Sequence, residues 1–284
     1  MAKSSELKQL LTVDSSNFSL SKVKELFNTY GAVYLTDFLP KEEVQKMSSD
    51  ISDLIHLQLK ESNPNFFPKS NFNFLVEGLN ELAAIDRKKV GAVYDAAMKL
   101  LSVRSTGVHN KVQELMQFIL GSKLLAMSNN IIVRIDRKGE EERLFGWHQD
   151  YPYSMVSEHG AVLWSPLIPV SNDMGPVQVI PFSHKHGIRK LSIDERGQLN
   201  IQDNEFLASL PEPISFECKP TDIILFDILT LHRSSKNITD APRWSVTYRY
   251  CDMNDRSSLK KGWPTYYKQG THFKDVYPEY IVKT

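Results

Sequence analysis

From about residue 124 to residue 252 the chain is written in the period of β-strands, and that stretch limits its fold more than any other feature. Asn130 to Ile135, Leu144 to Asp150, Ala161 to Val170, Pro176 to Ile180, Ile188 to Leu191, Ile214 to Cys218, Asp222 to Asp227, Thr230 to Ser234 and Arg243 to Cys251 each read as a short apolar or β-branched segment. Gly, Pro, Asn and Asp separate them, as turns require. Eight or so short strands at this spacing form a sandwich or jelly roll. No βαβ alternation is present, so a parallel sheet is not expected.

The first half reads differently. Ser19 is placed to cap a helix over Leu20 to Tyr30, with Val23, Leu26 and Phe27 at helical spacing and Gly31 as its stop. A short strand, Ala32 to Leu35, follows. Pro40 then opens a helix from Lys41 to about Lys60, striped by Val44, Met47, Ile51, Leu54 and Ile55. Residues 61–76 hold Pro64, Pro68 and four phenylalanines (Phe66, Phe67, Phe72, Phe74) and read as a packed loop beside a pocket. Further helices are expected at about 89–102 and 108–120. The tail, 255–284, carries Trp263, Tyr266, Tyr267, Phe273 and Tyr277 and reads as an ordered cover. The expectation is one domain over 1–284, mainly β with flanking helices: a helical part at about 18–120 packed on a jelly-roll core at about 124–252.

Thirty-four basic and 34 acidic residues cancel, which argues against a whole-surface nucleic-acid or membrane binder. Cys218 and Cys251 are too few for a disulfide framework and read as buried thiols. Met1 to Val13 is too polar for a secretory signal, and no apolar run approaches the ~18 residues of a membrane helix. A cytoplasmic protein with a small-molecule partner is the default expectation, its oligomeric state open.

The chemistry concentrates at Trp147-His148-Gln149-Asp150. On an extended chain His148 and Asp150 project to one face. One imidazole and one carboxylate are two of the three ligands of a facial iron site, which needs a second histidine from elsewhere. His232 follows by 84 residues, after the apolar run Asp222 to Asp227, and such a gap suits a jelly roll. A structural zinc site would want four protein ligands, usually thiolates, and the two cysteines have no matching spacing. Arg243 opens the strand Arg-Trp-Ser-Val-Thr-Tyr-Arg-Tyr. Alternation there puts Arg243, Ser245, Thr247 and Arg249 on one face and Trp244, Val246, Tyr248 and Tyr250 on the other. If the polar face meets a cavity, Arg243 offers a planar fork for a carboxylate. Arg134, Tyr151 and Arg249 are further candidates for a substrate wall, with an ion pair to Asp136, Asp150 or a glutamate of 140–142 the plain alternative for Arg134. His184 and His186, in Ser-His-Lys-His-Gly, read as turn residues.

Taken in order, His148-Gln149-Asp150, Trp164, Asp173 through His184, His232-Arg233-Ser234 and Arg243 resemble the phytanoyl-CoA dioxygenase-like family, as does Tyr30-Gly31-Ala32-Val33-Tyr34-Leu35 near the start. The resemblance covers roughly 18–252. It implies a double-stranded β-helix, Fe(II) on His148, Asp150 and His232, and 2-oxoglutarate and O2 as co-substrates. The 5-carboxylate of 2-oxoglutarate falls to Arg243 with help from Ser234, while Gln149 and Trp164 line its pocket. The implied reaction is hydroxylation of a small molecule with release of succinate and carbon dioxide. Retention of Asp150 disfavours halogenation. The chain departs from the family at Phe182, where members often carry glycine, and the expected consequence is an altered pocket wall. Two other readings stand beside this one: a cupin-like binding or sensor protein without turnover, and a metal-dependent hydrolase on the same three ligands. The acyl-CoA of the family name does not carry over as a substrate.

Overall fold

The longest strand, Arg243–Asp252, is the wall on which the rest is hung. The structure is a computed structural model that describes residues 4–17, 19–264 and 272–282. Tyr266 and Tyr267 of the aromatic tail lie outside the described residues. In chain order the strands are β1 (Thr12–Asp14), β2 (Ala32–Thr36), β3 (Leu125–Met127), β4 (Ile132–Asp136), β5 (Gly160–Pro166), β6 (Gln178–Val179), β7 (Ser192–Ile193), β8 (Leu199–Asn200), β9 (Ile214–Ser215), β10 (Ile223–Asp227), β11 (His232–Arg233) and β12 (Arg243–Asp252). A large sheet runs β1-β2-β10-β5-β12-β3, with β4 also on β12, and a small one runs β11-β6-β9. Strands far apart in sequence become neighbours: β2 pairs with β10, and β5 with both β10 and β12, all antiparallel. This is the jelly-roll core expected from the strand pattern.

The helices α1 (Ser4–Leu11), α2 (Leu20–Tyr30), α3 (Lys41–Ser62), α4 (Leu79–Ile85), α5 (Arg87–Ala97), α6 (Leu101–Gly107) and α7 (Asn110–Leu120) accompany the large sheet. The aromatic face of β12 is what several of them cover. Trp244 Nε1 donates to Leu75 O at 2.7 Å, Tyr248 Oη to Val103 O at 2.6 Å and Tyr250 Oη to Gly107 O at 2.7 Å. Each ring buries its carbon framework and hands its polar tip to a helix carbonyl, so nothing buried is left unmade. Gly107 permits the approach: a Cβ there would stand 2.6 Å from the Tyr248 ring. The same strand's other face, Arg243, Ser245, Thr247 and Arg249, is left for the interior of the barrel. One cluster of buried apolar side chains runs from Leu11 to Tyr277.

The caps of α2 follow the reading: Ser19 accepts from Lys22 N at 3.4 Å, and Gly31 takes a left-handed φ of 77°. Gly31 also carries fold contacts. Its carbonyl accepts Asp227 N and Thr230 Oγ1, which ties α2 to the turn before His232. Several boundaries differ from expectation. The span 89–102 divides into α5 and α6, and residues 74–78 form a π-helical turn. Leu144 to Asp150 is not a strand but an irregular run with a single bridge, His148 to His232, and Ile188 to Leu191 is not one either. Gly146 interrupts the first segment and Gly187 precedes the second, and each is held by side-chain and isolated backbone hydrogen bonds in place of a continuous ladder.

The four phenylalanines of 66–74 do not stand beside the metal-site cavity described below. Phe66, Phe72 and Phe74 pack on one another and on His56 of α3, with Phe72 and Phe74 at 5.0 Å, and Phe67 is exposed. They serve the helical layer, which has an apolar demand of its own.

Asp227 is a half-buried carboxyl at the end of β10 whose one side-chain hydrogen bond accepts Leu229 N at 2.8 Å. Burial pushes its pKa up to about 7. A carboxyl raised in the folded state binds its proton more tightly there than in the unfolded chain. Stability therefore falls as pH rises from about 4 to about 7 and is level above. Asp227→Asn keeps the acceptor and removes the charge. It is expected to stabilise the protein by on the order of 3 kcal/mol at pH 8 and by little at pH 4. Paired melting curves at the two pH values check this, and an equal shift at both would contradict it.

Candidate metal centre

His148, Asp150 and His232 converge, as the sequence reading expects, though not by a shared extended strand. His148 and His232 form a bridge between the irregular 144–150 run and β11, each backbone N–H donating to the other's carbonyl at 3.1 Å. Asp150 has already turned helical (φ −84°, ψ −20°) at the head of a short helix, α8 (Tyr151–Ser154), and its N–H donates to Ile228 O. The imidazole centroids lie 4.1 Å apart, and His148 Nε2 and His232 Nε2 are 3.9 and 3.7 Å from Asp150 Oδ1. One ligand atom from each of the three fits within a 4.8 Å span, and all three residues are buried.

The hydrogen bonds around these groups set their states. Nδ1 of His148 faces Gly146 O at 2.8 Å and Nδ1 of His232 faces Thr230 O at 3.0 Å. A carbonyl can only accept, so both Nδ1 atoms carry the proton and both Nε2 atoms present lone pairs. Burial, followed by the neighbouring His232, pushes the His148 pKa down to about 3, and burial pushes His232 down as well. Both rings are thus neutral, the state in which imidazole ligates. For Asp150 burial pushes upward, but the Arg249 guanidinium and His232 outweigh it and hold the carboxyl at about 2. Arg249 Nη2 donates to Asp150 Oδ1 at 2.9 Å and its Nη1 to Asn130 O at 3.0 Å. Asp150 Oδ2, buried, has no partner. An ionised, fully buried carboxylate with one oxygen within 4 Å of two imidazole lone pairs and the other unpartnered is the chemistry of a divalent-cation site. Two nitrogens and one oxygen are the donor set of non-haem iron.

A cavity opens over the triad. Trp164, Ser234, Arg243, Arg134 and Arg249 line it; Gln149 and Tyr151 do not. Gln149 is a strut: Nε2 donates to Gly187 O at 2.9 Å and Leu229 O at 2.8 Å, and Oε1 accepts Arg189 N at 2.9 Å. It faces away from its neighbours in sequence and ties together the loops that flank the two histidines. Gln149→Ala would orphan three buried backbone groups at roughly 1 kcal/mol or more each. A fall in unfolding free energy of about 3 kcal/mol is expected, read by denaturant titration; an unchanged midpoint would deny the strut. Tyr151 is buried, its hydroxyl bonded to that of Tyr277, with Phe273 against its ring, so it anchors the aromatic cover. Arg134 is both things at once: it pairs with Asp136 and lies over the Phe145 ring on the cavity wall.

Arg243 is almost fully buried. Its Nη2 pairs with Asp136, while Nε and Nη1 have no partner, and neither does Ser245 Oγ beside it in β12. Two unmade guanidinium donors on a cavity wall fit an incoming carboxylate. The cavity residues that sequence reasoning did not single out are Tyr94, Asn130, Ile132, Phe145, Val177 and Phe226. Tyr94 comes from α5, whose packing over β4 no local signal announces. Thr247 and Phe226 were legible in principle, one from the alternation of β12 and the other from the strand that leads to His232. Phe182 is in the left-handed region at φ 66°, which explains why glycine suits the position. Its ring packs on Tyr30 and is not on the cavity wall, contrary to expectation.

A jelly roll with two imidazoles, one carboxylate and a buried arginine on its inner wall has the architecture of the 2-oxoglutarate-dependent non-haem iron oxygenases. Residues 27–245 match the model of the phytanoyl-CoA dioxygenase (PhyH) family, and the chain belongs to that family. Among curated proteins it is similar to the ectoine dioxygenase of Stutzerimonas stutzeri, 23% identical over 186 residues that cover 57% of this chain and 61% of that protein. It is also similar to the ectoine dioxygenase of Sphingopyxis alaskensis, 27% identical over 166 residues, or 51% and 52% of the two chains. The match thus spans about half to three-fifths of these relatives. Two crystal structures share the fold: EctD from S. alaskensis with bound Fe (TM-score 0.57, 20% identity, 84% of this chain and 78% of that one) and the epimerase SnoN with Fe3+, α-ketoglutarate and nogalamycin RO (TM-score 0.58, 16% identity, 82% and 83%).

Proposed function

We propose that this protein is an Fe(II)- and 2-oxoglutarate-dependent dioxygenase that hydroxylates a small-molecule metabolite and releases succinate and carbon dioxide, with the whole chain acting as one domain. The observation that carries the reading is the buried, ionised Asp150 carboxylate, its Oδ2 unpartnered and its Oδ1 within 4 Å of both Nε2 atoms of two histidines whose Nδ1 protons are already spent on backbone carbonyls. His148 Nε2, a carboxylate oxygen of Asp150 and His232 Nε2 would hold the iron. Bound there, it supplies the coupled use of O2 and 2-oxoglutarate to oxidise a C–H bond. The side chains do the rest. Arg243, with Ser234 and Ser245 near it, receives the far carboxylate of the co-substrate, and Trp164 walls that end. Arg249 donates to Asp150 Oδ1 and fixes the carboxylate beside the two imidazoles. Phe145, Tyr153 and Phe226 keep the chamber dry. Among the described residues no helix is long and apolar enough to cross a membrane. Cys218 and Cys251 are both buried free thiols, which supports a reducing, cytoplasmic setting.

The test is succinate formation from 2-oxoglutarate in the presence of Fe(II) and O2, alongside 2-oxoglutarate binding measured anaerobically by calorimetry with Mn(II) in place of iron. Metal-dependent binding with oxygen-dependent succinate supports the reading. Binding without turnover for any substrate would favour a sensor, and turnover without oxygen a hydrolase.

A further inference from the structure

Beyond the metal cavity lies a second cleft, which meets the first at Tyr94, Arg134 and Phe145. Its lining includes Arg87, Arg134, Arg143 and Arg196 and no carboxylate. Arg196 has a carboxylate of its own, Asp194 at 3.2 Å, but the acids that pair with the others stand behind them and are shared. Glu140 accepts Arg87 at 2.6 Å, Arg137 at 3.0 Å and Arg143 at 3.4 Å. Asp136 accepts both Arg134 and Arg243. Five guanidiniums therefore rest on two carboxylates, with Glu142 adding only a contact to Arg143 at 3.5 Å. A co-substrate carboxylate on Arg243 would balance Asp136 and Arg134. It would leave the excess on the Arg87, Arg137 and Arg143 group at the mouth. Arg143 and Arg196 have 57% and 45% of their side chains exposed, so their heads reach into the cleft. A concave surface lined by one sign of charge concentrates counter-ions. Inward of the threshold the walls turn apolar, with Ile132, Phe145, Tyr153, Val177 and Phe226.

We propose that the substrate is a small organic anion, a carboxylate or a phosphate ester, whose charged end is held by Arg143 and Arg196 while its apolar body passes Tyr94 and Phe145 to the metal ligands. This rests on the oxygenase reading and names its substrate class. A neutral or cationic substrate would leave the arginine surplus unanswered.

The experiment is a screen of the iron-loaded protein with 2-oxoglutarate for succinate above the uncoupled rate. Matched pairs are used: aryl and alkyl carboxylates against their amides, and phosphate monoesters against the parent alcohols. Stimulation is expected from anions alone, and which member class responds separates carboxylate from phosphate. For the best compound, R143Q/R196Q is expected to raise KM about 10- to 100-fold with kcat within about twofold. The same compound's kcat/KM in the wild type should fall several-fold from low salt to about 0.3 M. Both arginines are exposed, and an unchanged melting temperature in the double variant excludes misfolding. Equal stimulation by the neutral partners, no stimulation by any anion, or an unshifted KM in the variant overturns the proposal. Failure to bind 2-oxoglutarate with metal in the same preparation would instead overturn the oxygenase reading.

Discussion

His148→Ala and Asp150→Asn are each expected to abolish Fe(II)-dependent succinate formation, with metal affinity reduced by more than about 100-fold. Loss of a mere hydrogen-bond partner behind a ligand costs 10- to 100-fold, so loss of the ligand must exceed that. The choice of asparagine is deliberate. Asp150→Ala would leave Arg249 buried with no charge to face, a cost of about 3–5 kcal/mol that could unfold the site and confuse the result. Asparagine keeps an acceptor oxygen for Arg249 and withdraws the negative charge that a divalent cation needs. Melting temperature in the absence of metal, Mn(II) affinity by calorimetry, and succinate by coupled assay together separate loss of ligation from loss of fold. Unchanged turnover in either variant would reject the centre.

The second large effect is on the co-substrate. Arg243→Met is expected to weaken 2-oxoglutarate binding by about 2–4 kcal/mol, roughly 30- to 1,000-fold, because one partner of a buried charge pair is removed. Asp136 remains paired with Arg134 in the variant, so the barrel should survive. A 2-oxo acid without the far carboxylate, such as 2-oxobutyrate, supplies the control. It should bind wild type and variant alike, since it never made the contact. An equal loss for both ligands would place Arg243 in the scaffold only.

The strand-rich half was legible because period-two patterning and turn residues are local properties. The alternation of β12 separated two faces whose partners proved to be a helical layer and a cavity. Residue roles near the motif were less legible. Gln149 and Tyr151 flank the ligands in sequence, yet one braces loops and the other anchors the tail. Adjacency predicted a shared pocket; the turn into α8 at Asp150 sent successive side chains in different directions. Tyr94, Arg87 and Arg196 reach the cavities from segments with no motif at all.

By itself, then, the amino-acid order determined the jelly-roll class and the residue types able to hold a metal and a carboxylate, because periodicity and ligand chemistry belong to residues and their near neighbours. Only the tertiary structure decided that Arg249 braces the Asp150 carboxylate beside the two imidazoles, and that two carboxylates are divided among five arginines. Those are matters of which groups meet across the barrel, and the free energy of a buried charge depends on what stands within a few ångströms of it in space.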